Sequence, residues 1–126
     1  MIEMTIPVVT KTLNETMRMH WRVRRRYQKD LAWLVYLAAP RPIPKTLRRA
    51  SVRIERHSLG TPDYDGLIGG TKCLVDCLLP QSARHKEGLG FVADDSPDAM
   101  HLDVVAIKVS KHADQKTVIR IEEIAS

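Results

Sequence analysis

The chain has 126 residues, a formal net charge of +5, 44% hydrophobic residues and 28% charged ones. That length specifies one domain over 1–126 with a real core, and no run approaches the roughly 20 apolar residues of a membrane span. The basic balance favours an anionic partner, nucleic acid being the commonest large one, and the lack of a basic-then-apolar leader pattern predicts a cytoplasmic protein.

Met4 to Val9 reads as a first strand, with Pro7 placing it at an edge or a strand end. Asn14 is a good N-cap, followed by Glu15 in the first turn, and one helix is expected from Glu15 to about Ala39, stopped by Pro40. Met17, Trp21, Leu31, Leu34, Val35 and Ala38 form its expected core face. Arg18, Arg22, Arg25 and Lys29 fall nearly in line on another face, a basic ridge of about three turns, with Arg26 beside it. No acid sits among the four at helical spacing to neutralise them, so phosphate contact competes with an ordinary solvated face. Arg24 falls inside the apolar stripe and either snorkels or points at the acidic cluster described below.

Pro42 and Pro44 keep the next segment extended. Arg49 to His57 alternates Val52 and Ile54 with Arg53 and Glu55, the pattern of a half-buried strand. Leu59 to Asp65 is a loop, and Leu67 to Leu79 is helical despite Gly69-Gly70, which mark either a close backbone approach or a plain kink. Cys73 and Cys77 are spaced to share a helix face and are expected buried and unbridged. Pro80 to Gly90 is a mobile polar loop, Phe91 to Ala93 a short strand, and Leu102 to Val109 with Lys116 to Ile124 a hairpin. The expected fold is α/β (α+β): a small mixed β-sheet of about four to five strands covered by two helices.

Within this otherwise basic chain, carboxylates gather around one lysine: Asp63-Tyr64-Asp65, Lys72, Asp76 and Asp94-Asp95. Concentrated carboxylates repel one another unless a cation neutralises them, though turns and caps also collect aspartates. Asp76 stands four residues after Lys72, which also suits a helix salt bridge. Asp98, Asp103 and Asp114 read as turn or surface residues, and His85 and Lys86 as members of the solvated loop.

Taken in order, the Asp-x-Asp segment, the lysine inside the next helix, the aspartate four residues on and the Asp-Asp pair after a short apolar strand resemble the signature of the RusA-like Holliday junction resolvases, in a phage-type variant. The resemblance covers most of the chain. It implies that Asp63, Asp65 and Asp95 hold magnesium (Mg2+), with manganese (Mn2+) as an alternative, that Asp94 stands close by as a further ligand and Asp76 as a supporting residue, and that Lys72 is catalytic with Asp63, Asp65 and Asp95. It further implies a bacterial or phage-encoded homodimer that cuts branched DNA, above all the four-way junction, by paired phosphodiester hydrolysis; the basic ridge of Arg18, Arg22, Arg25, Arg26 and Lys29 is then the expected DNA-binding surface. Gly66 departs from the family pattern, which places asparagine there, and Lys72 follows Asp65 at a longer spacing. The alternative that this departure raises is a noncatalytic branched-DNA-binding protein of the same fold.

Overall fold

Four strands and four short to medium helices make up the chain, seen in a computed structural model that describes residues 1–125. In chain order they are β1 (Ile2–Ile6), α1 (Leu13–Met17), α2 (Trp21–Ala38), β2 (Ala50–Ser58), α3 (Tyr64–Gly70), α4 (Lys72–Leu78), β3 (Met100–Lys108) and β4 (Lys116–Glu123), with a single 3-10 turn at His112–Asp114. The sheet order is β1-β4-β2-β3. β2 and β3 run parallel, whereas β4 is antiparallel to both of its neighbours, so the sheet is mixed as the sequence implies.

The register places Met4 beside Ile119, Ile54 beside Ile119 and Val52 beside Ile121, so these side chains share one face of the sheet. α2 covers it with Leu31 and Val35, and α4 with Leu74 and Leu78; Phe91 and Val92 close the same core, and all of these residues are buried. Fully burying such a side chain is worth about 1.5–3 kcal/mol, which makes this layer the main stabilising feature of the domain.

Two expectations about the sheet are corrected. β3 and β4 do not form a hairpin, because β2 lies between them. The segment 109–115 carries the chain past the end of β2, where Val109 N–H donates to the Ser58 carbonyl at 2.9 Å and Leu59 N–H to Gln115 Oε1 at 3.2 Å. This route gives the apolar β4 a partner on each edge, burying Ile119 and Ile121 completely. The segment Phe91–Ala93 forms only an isolated parallel bridge, Leu47 to Val92, in place of a strand.

The expected helix from Glu15 to Ala39 is also interrupted. α1 ends at Met17, and a new N-terminus begins at Trp21, capped by His20, whose ring Nδ1 accepts from Arg22 N–H at 3.2 Å. The cap of α1 is Thr12 in place of Asn14: the Thr12 hydroxyl accepts from Glu15 N–H, and Glu15 Oε1 accepts from Thr12 N–H at 3.0 Å, a capping box. The break rotates the first turn away from the core, so Met17 and Trp21 are 69% and 65% exposed. Leu31 and Val35 are buried as expected, and Leu34 and Ala38 pack partly buried against them.

Gly69 and Gly70 mark a close approach of the chain to itself. A Cβ on Gly70 would stand 2.0 Å from the Lys11 carbonyl oxygen, and one on Gly69 would stand 2.9 Å from the Leu13 methyl groups. α3 is therefore seated directly on the segment leading into α1. A kink accompanies it, since α3 ends at Gly70 and α4 starts at Lys72.

The opposite face of the sheet carries an ionic lattice that alternation alone reads as plain solvent exposure. Arg120 on β4 bonds Glu3 on β1 at 3.0 Å and also pairs with Glu55 on β2; Arg53 joins Glu55 at 3.0 Å to Asp103 on β3 at 2.9 Å. Glu55 is buried, which disfavours its charge, but Arg53, His57 and Arg120 together hold its carboxyl below the usual range. Four strands are thus cross-tied by charge.

Candidate active site and basic surface

α4 presents Lys72 from its first turn, and the loop before β3 presents Asp95. The ammonium Nζ of Lys72 lies 3.0 Å from Asp76 Oδ1 and 3.3 Å from Asp95 Oδ2, joining residues 23 positions apart. Asp94 supports this arrangement by accepting the Asp95 N–H at 2.9 Å. Behind Asp76 stands His85, its Nδ1 3.7 Å from the same Asp76 oxygen. Asp76 thus makes the helix salt bridge expected of a supporting residue.

Lys72 and Asp95 line a cleft of about 410 Å³ whose walls also include Leu13, Arg24, Val75 and Leu102. Arg24 is exposed and shares this wall with the Lys72–Asp95 pair, the second of its two expected positions.

The remaining carboxylates hold different posts. Asp63 is the N-cap of α3, its Oδ1 accepting Gly66 N–H at 2.9 Å, and Asp65 is exposed in the first turn. A Cβ at Gly66 would come 2.5 Å from Asp63 Oδ1, so a larger residue there would shift the capping carboxylate. Among the described residues, no three His, Cys, Asp or Glu side chains converge as a preformed metal cage. In donor chemistry the carboxylates suit a hard divalent cation, and Asp63, Asp94 and Asp95 each keep one oxygen outside the hydrogen bonds just described.

Electrostatics tie the pair together. Burial pushes the Lys72 ammonium down, but hydrogen bonds and charge from Asp76 and Asp95 outweigh it and lift the pKa above the ordinary 10.5. Burial raises the Asp95 carboxyl, and the Lys72 hydrogen bond and charge more than reverse that, holding it below 3.8. The stability contributed through Asp95 is therefore full above pH 3.8 and is lost as pH falls through the depressed value; that through Lys72 is full below pH 10.5 and is lost as pH rises through the raised one. For a half-exposed pair the contribution is small, about 0.2–1 kcal/mol. Urea unfolding of wild type and Asp95→Asn across the pH range should show a midpoint difference near neutrality that closes in acid.

The basic residues occupy a neighbouring surface. Arg22, Arg25, Arg26 and Lys29 are exposed on α2, while Arg18, at the end of α1, is separated from their helix by the break. The ridge is therefore shorter than the sequence implies. Among the described residues none of these five forms an ion pair, and Arg22 lies over the exposed Trp21 ring at 5.2 Å. Arg25 shares a cleft of about 150 Å³ with Arg84 and Lys86, so the 80–90 loop extends the basic surface. That loop is tied by its own bonds, Ser82 N–H to the His85 carbonyl at 3.1 Å and Gln81 Nε2 to the Lys86 carbonyl at 3.2 Å.

Cys73 and Cys77 are buried and unbridged. Burial and the neighbouring Cys73 push the Cys77 thiol up to about 12, which removes it from nucleophilic chemistry. No helix is long and apolar enough to cross a membrane among the described residues. Comparison with known protein families, with curated proteins and with solved structures finds no match to this chain.

Proposed function

We propose that this protein is a magnesium-dependent endonuclease of the RusA-like kind, resolving four-way junctions and other branched DNA by paired phosphodiester hydrolysis. The observation that carries the reading is the meeting of Lys72 with Asp95 and Asp76, three members of the ordered sequence signature, beside a cleft that Lys72, Asp95 and Arg24 line. A fold alone would not select a reaction; a lysine held between carboxylates beside a basic surface favours chemistry on phosphate.

Magnesium, when bound, supplies a Lewis acid for the phosphate oxygens and a more acidic water. Asp63, Asp65, Asp94 and Asp95 are the carboxylates that would hold it, through their free oxygens. Lys72, whose pKa Asp76 and Asp95 lift, is a cation that would offset charge growing on the phosphate or orient the attacking water. Asp76 and Asp95 position that ammonium. Arg24, in the same wall, adds a second cation toward the phosphate backbone.

DNA binding in this reading draws most of its affinity from phosphate contacts by α2 and the 80–90 loop, and its selectivity from junction shape. A homodimer follows from the approximate two-fold symmetry of the junction, since paired cuts need two sites. Replacing both Arg22 and Arg25 by alanine should weaken junction binding, and the slope of log affinity against log salt should fall by about 2. A fluorescence-anisotropy salt series measures both, and an unchanged slope removes α2 from the interface.

A second reading rests on Asp63 and Gly66. With the Asp63 carboxylate engaged as a helix cap, and glycine where the family has an asparagine amide, the same surface serves a noncatalytic branched-DNA-binding protein. Junction binding without magnesium-dependent cuts distinguishes the two.

A further inference from the structure

A larger cleft, about 610 Å³, opens where the chain leaving β1 passes the end of β2 and the 3-10 turn. Thr10, Lys11, Glu15, Arg56 and His112 are among the residues lining it. Arg56 is partly buried, and its Nε donates to the Thr10 carbonyl at 2.9 Å and its Nη1 to Ser58 Oγ at 2.7 Å. Both acceptors are neutral. Among the described residues no carboxylate lies within ion-pair distance of Arg56, in contrast to Arg53 and Arg120 on the same sheet.

A partly desolvated guanidinium whose acceptors are all neutral is unfavourable, and an oxyanion in the cleft relieves it. Burial lowers the Arg56 pKa, with the charge of Glu15 as a smaller opposing influence. Glu15 spends Oε1 on the Thr12 N–H and hydroxyl, at 3.0 and 3.1 Å. Lys11 adds a second cation, its ammonium 5.6 Å from the Tyr27 ring centre.

We propose that this cleft is a phosphoryl-group site of nucleotide size, with Arg56 gripping the phosphate oxygens and Lys11 supplying a second cation. The volume falls within the roughly 300–1,000 Å³ typical of small-molecule pockets, unlike the cleft of about 150 Å³ beside Arg25. The site stands apart from the Lys72–Asp95 cleft, and its test does not depend on DNA cleavage.

The test is an amide NMR titration of the full chain with inorganic phosphate, thymidine 5′-monophosphate and thymidine. Phosphate and the nucleotide should shift amides in 8–11 and 112–115, and thymidine should not. Arg56→Gln should weaken nucleotide binding about tenfold or more, and Lys11→Ala several-fold. A nucleotide affinity well above that of phosphate identifies the nucleotide as the source; equal affinities identify the oxyanion alone. Should Arg56→Gln fail to fold by circular dichroism, Lys11→Ala and the wild-type shift map decide. Absence of shifts at millimolar phosphate and nucleotide, shifts confined to α2, or wild-type affinity in a folded Arg56→Gln overturns the proposal.

Discussion

Asp95→Asn is expected to lower junction cleavage by about a hundredfold or more while leaving DNA binding intact or tighter. The substitution removes a carboxylate that would hold the metal and releases one of the two anchors of the Lys72 ammonium, now 3.3 Å away. It also removes a negative charge that repels the DNA backbone, so affinity does not fall with activity. Asp65→Asn should behave alike, abolishing cleavage without loss of binding. Lys72→Ala should lose cleavage without losing the fold, because its side chain is 52% exposed. Asp76→Asn separates positioning from chemistry: with Asp95 still holding Lys72, the loss should be nearer tenfold. Rates on a labelled junction, paired with anisotropy binding in calcium, give these numbers. An Asp95→Asn or Asp65→Asn protein that cuts at the wild-type rate would remove the site assignment.

The second large effect is on stability. Gly70→Ala should destabilise the domain by about 3 kcal/mol, the upper end of ordinary overpacking, because its Cβ would stand 2.0 Å from the Lys11 carbonyl oxygen and 2.8 Å from Thr12 Cα. Both obstacles are backbone, so no side-chain rotation relieves them. The only response is to lift α3 from the segment entering α1, which also displaces the Asp63 cap and Asp65. Gly60→Ala is the matched control: a Cβ there meets nothing within 4 Å, and unfolded-state entropy then predicts no loss or a gain of about 0.4–1 kcal/mol. Urea denaturation with unchanged m-values measures both. A Gly70→Ala midpoint equal to wild type would contradict the packing described for α3.

How much of this was readable beforehand depends on the range of the interaction. The β2 alternation, the buried cysteines and the Leu31–Val35 stripe are set by local periodicity, and the structure places them as the sequence implies. The helix break was legible only in part. Thr12-Leu13-Asn14-Glu15 contains the Ser/Thr-x-x-Glu pattern of a capping box, which outranks Asn14 as a cap, whereas a histidine cap at His20 has no strong signal. The β4 insertion between β1 and β2 is a long-range choice, fixed by which strand can bury Ile119 and Ile121 on both sides. Neighbouring strands in sequence usually pair; here β2 pairs with β3, but β1 does not pair with β2, nor β3 with β4.

At the candidate site, the i,i+4 bridge from Lys72 to Asp76 is readable from spacing, and the contact to Asp95 only from an ordered motif. Asp63 is different. It caps α3 through the Gly66 N–H, a local aspartate-cap role that competes with the metal-ligand reading of the same residue. The Glu55 lattice and the Arg56 cleft join β1, β2, β4 and the turn at His112, residues far apart in the chain, and no spacing rule brings them together.

The most direct test of the central claim is incubation of the purified protein with an end-labelled synthetic four-way junction and a matched linear duplex, in magnesium, in calcium and in chelator. Paired nicks are expected in magnesium, confined to the junction and absent from the linear duplex and from the chelated sample. Selective junction binding without nicks, or nicking of both substrates alike, would contradict that claim.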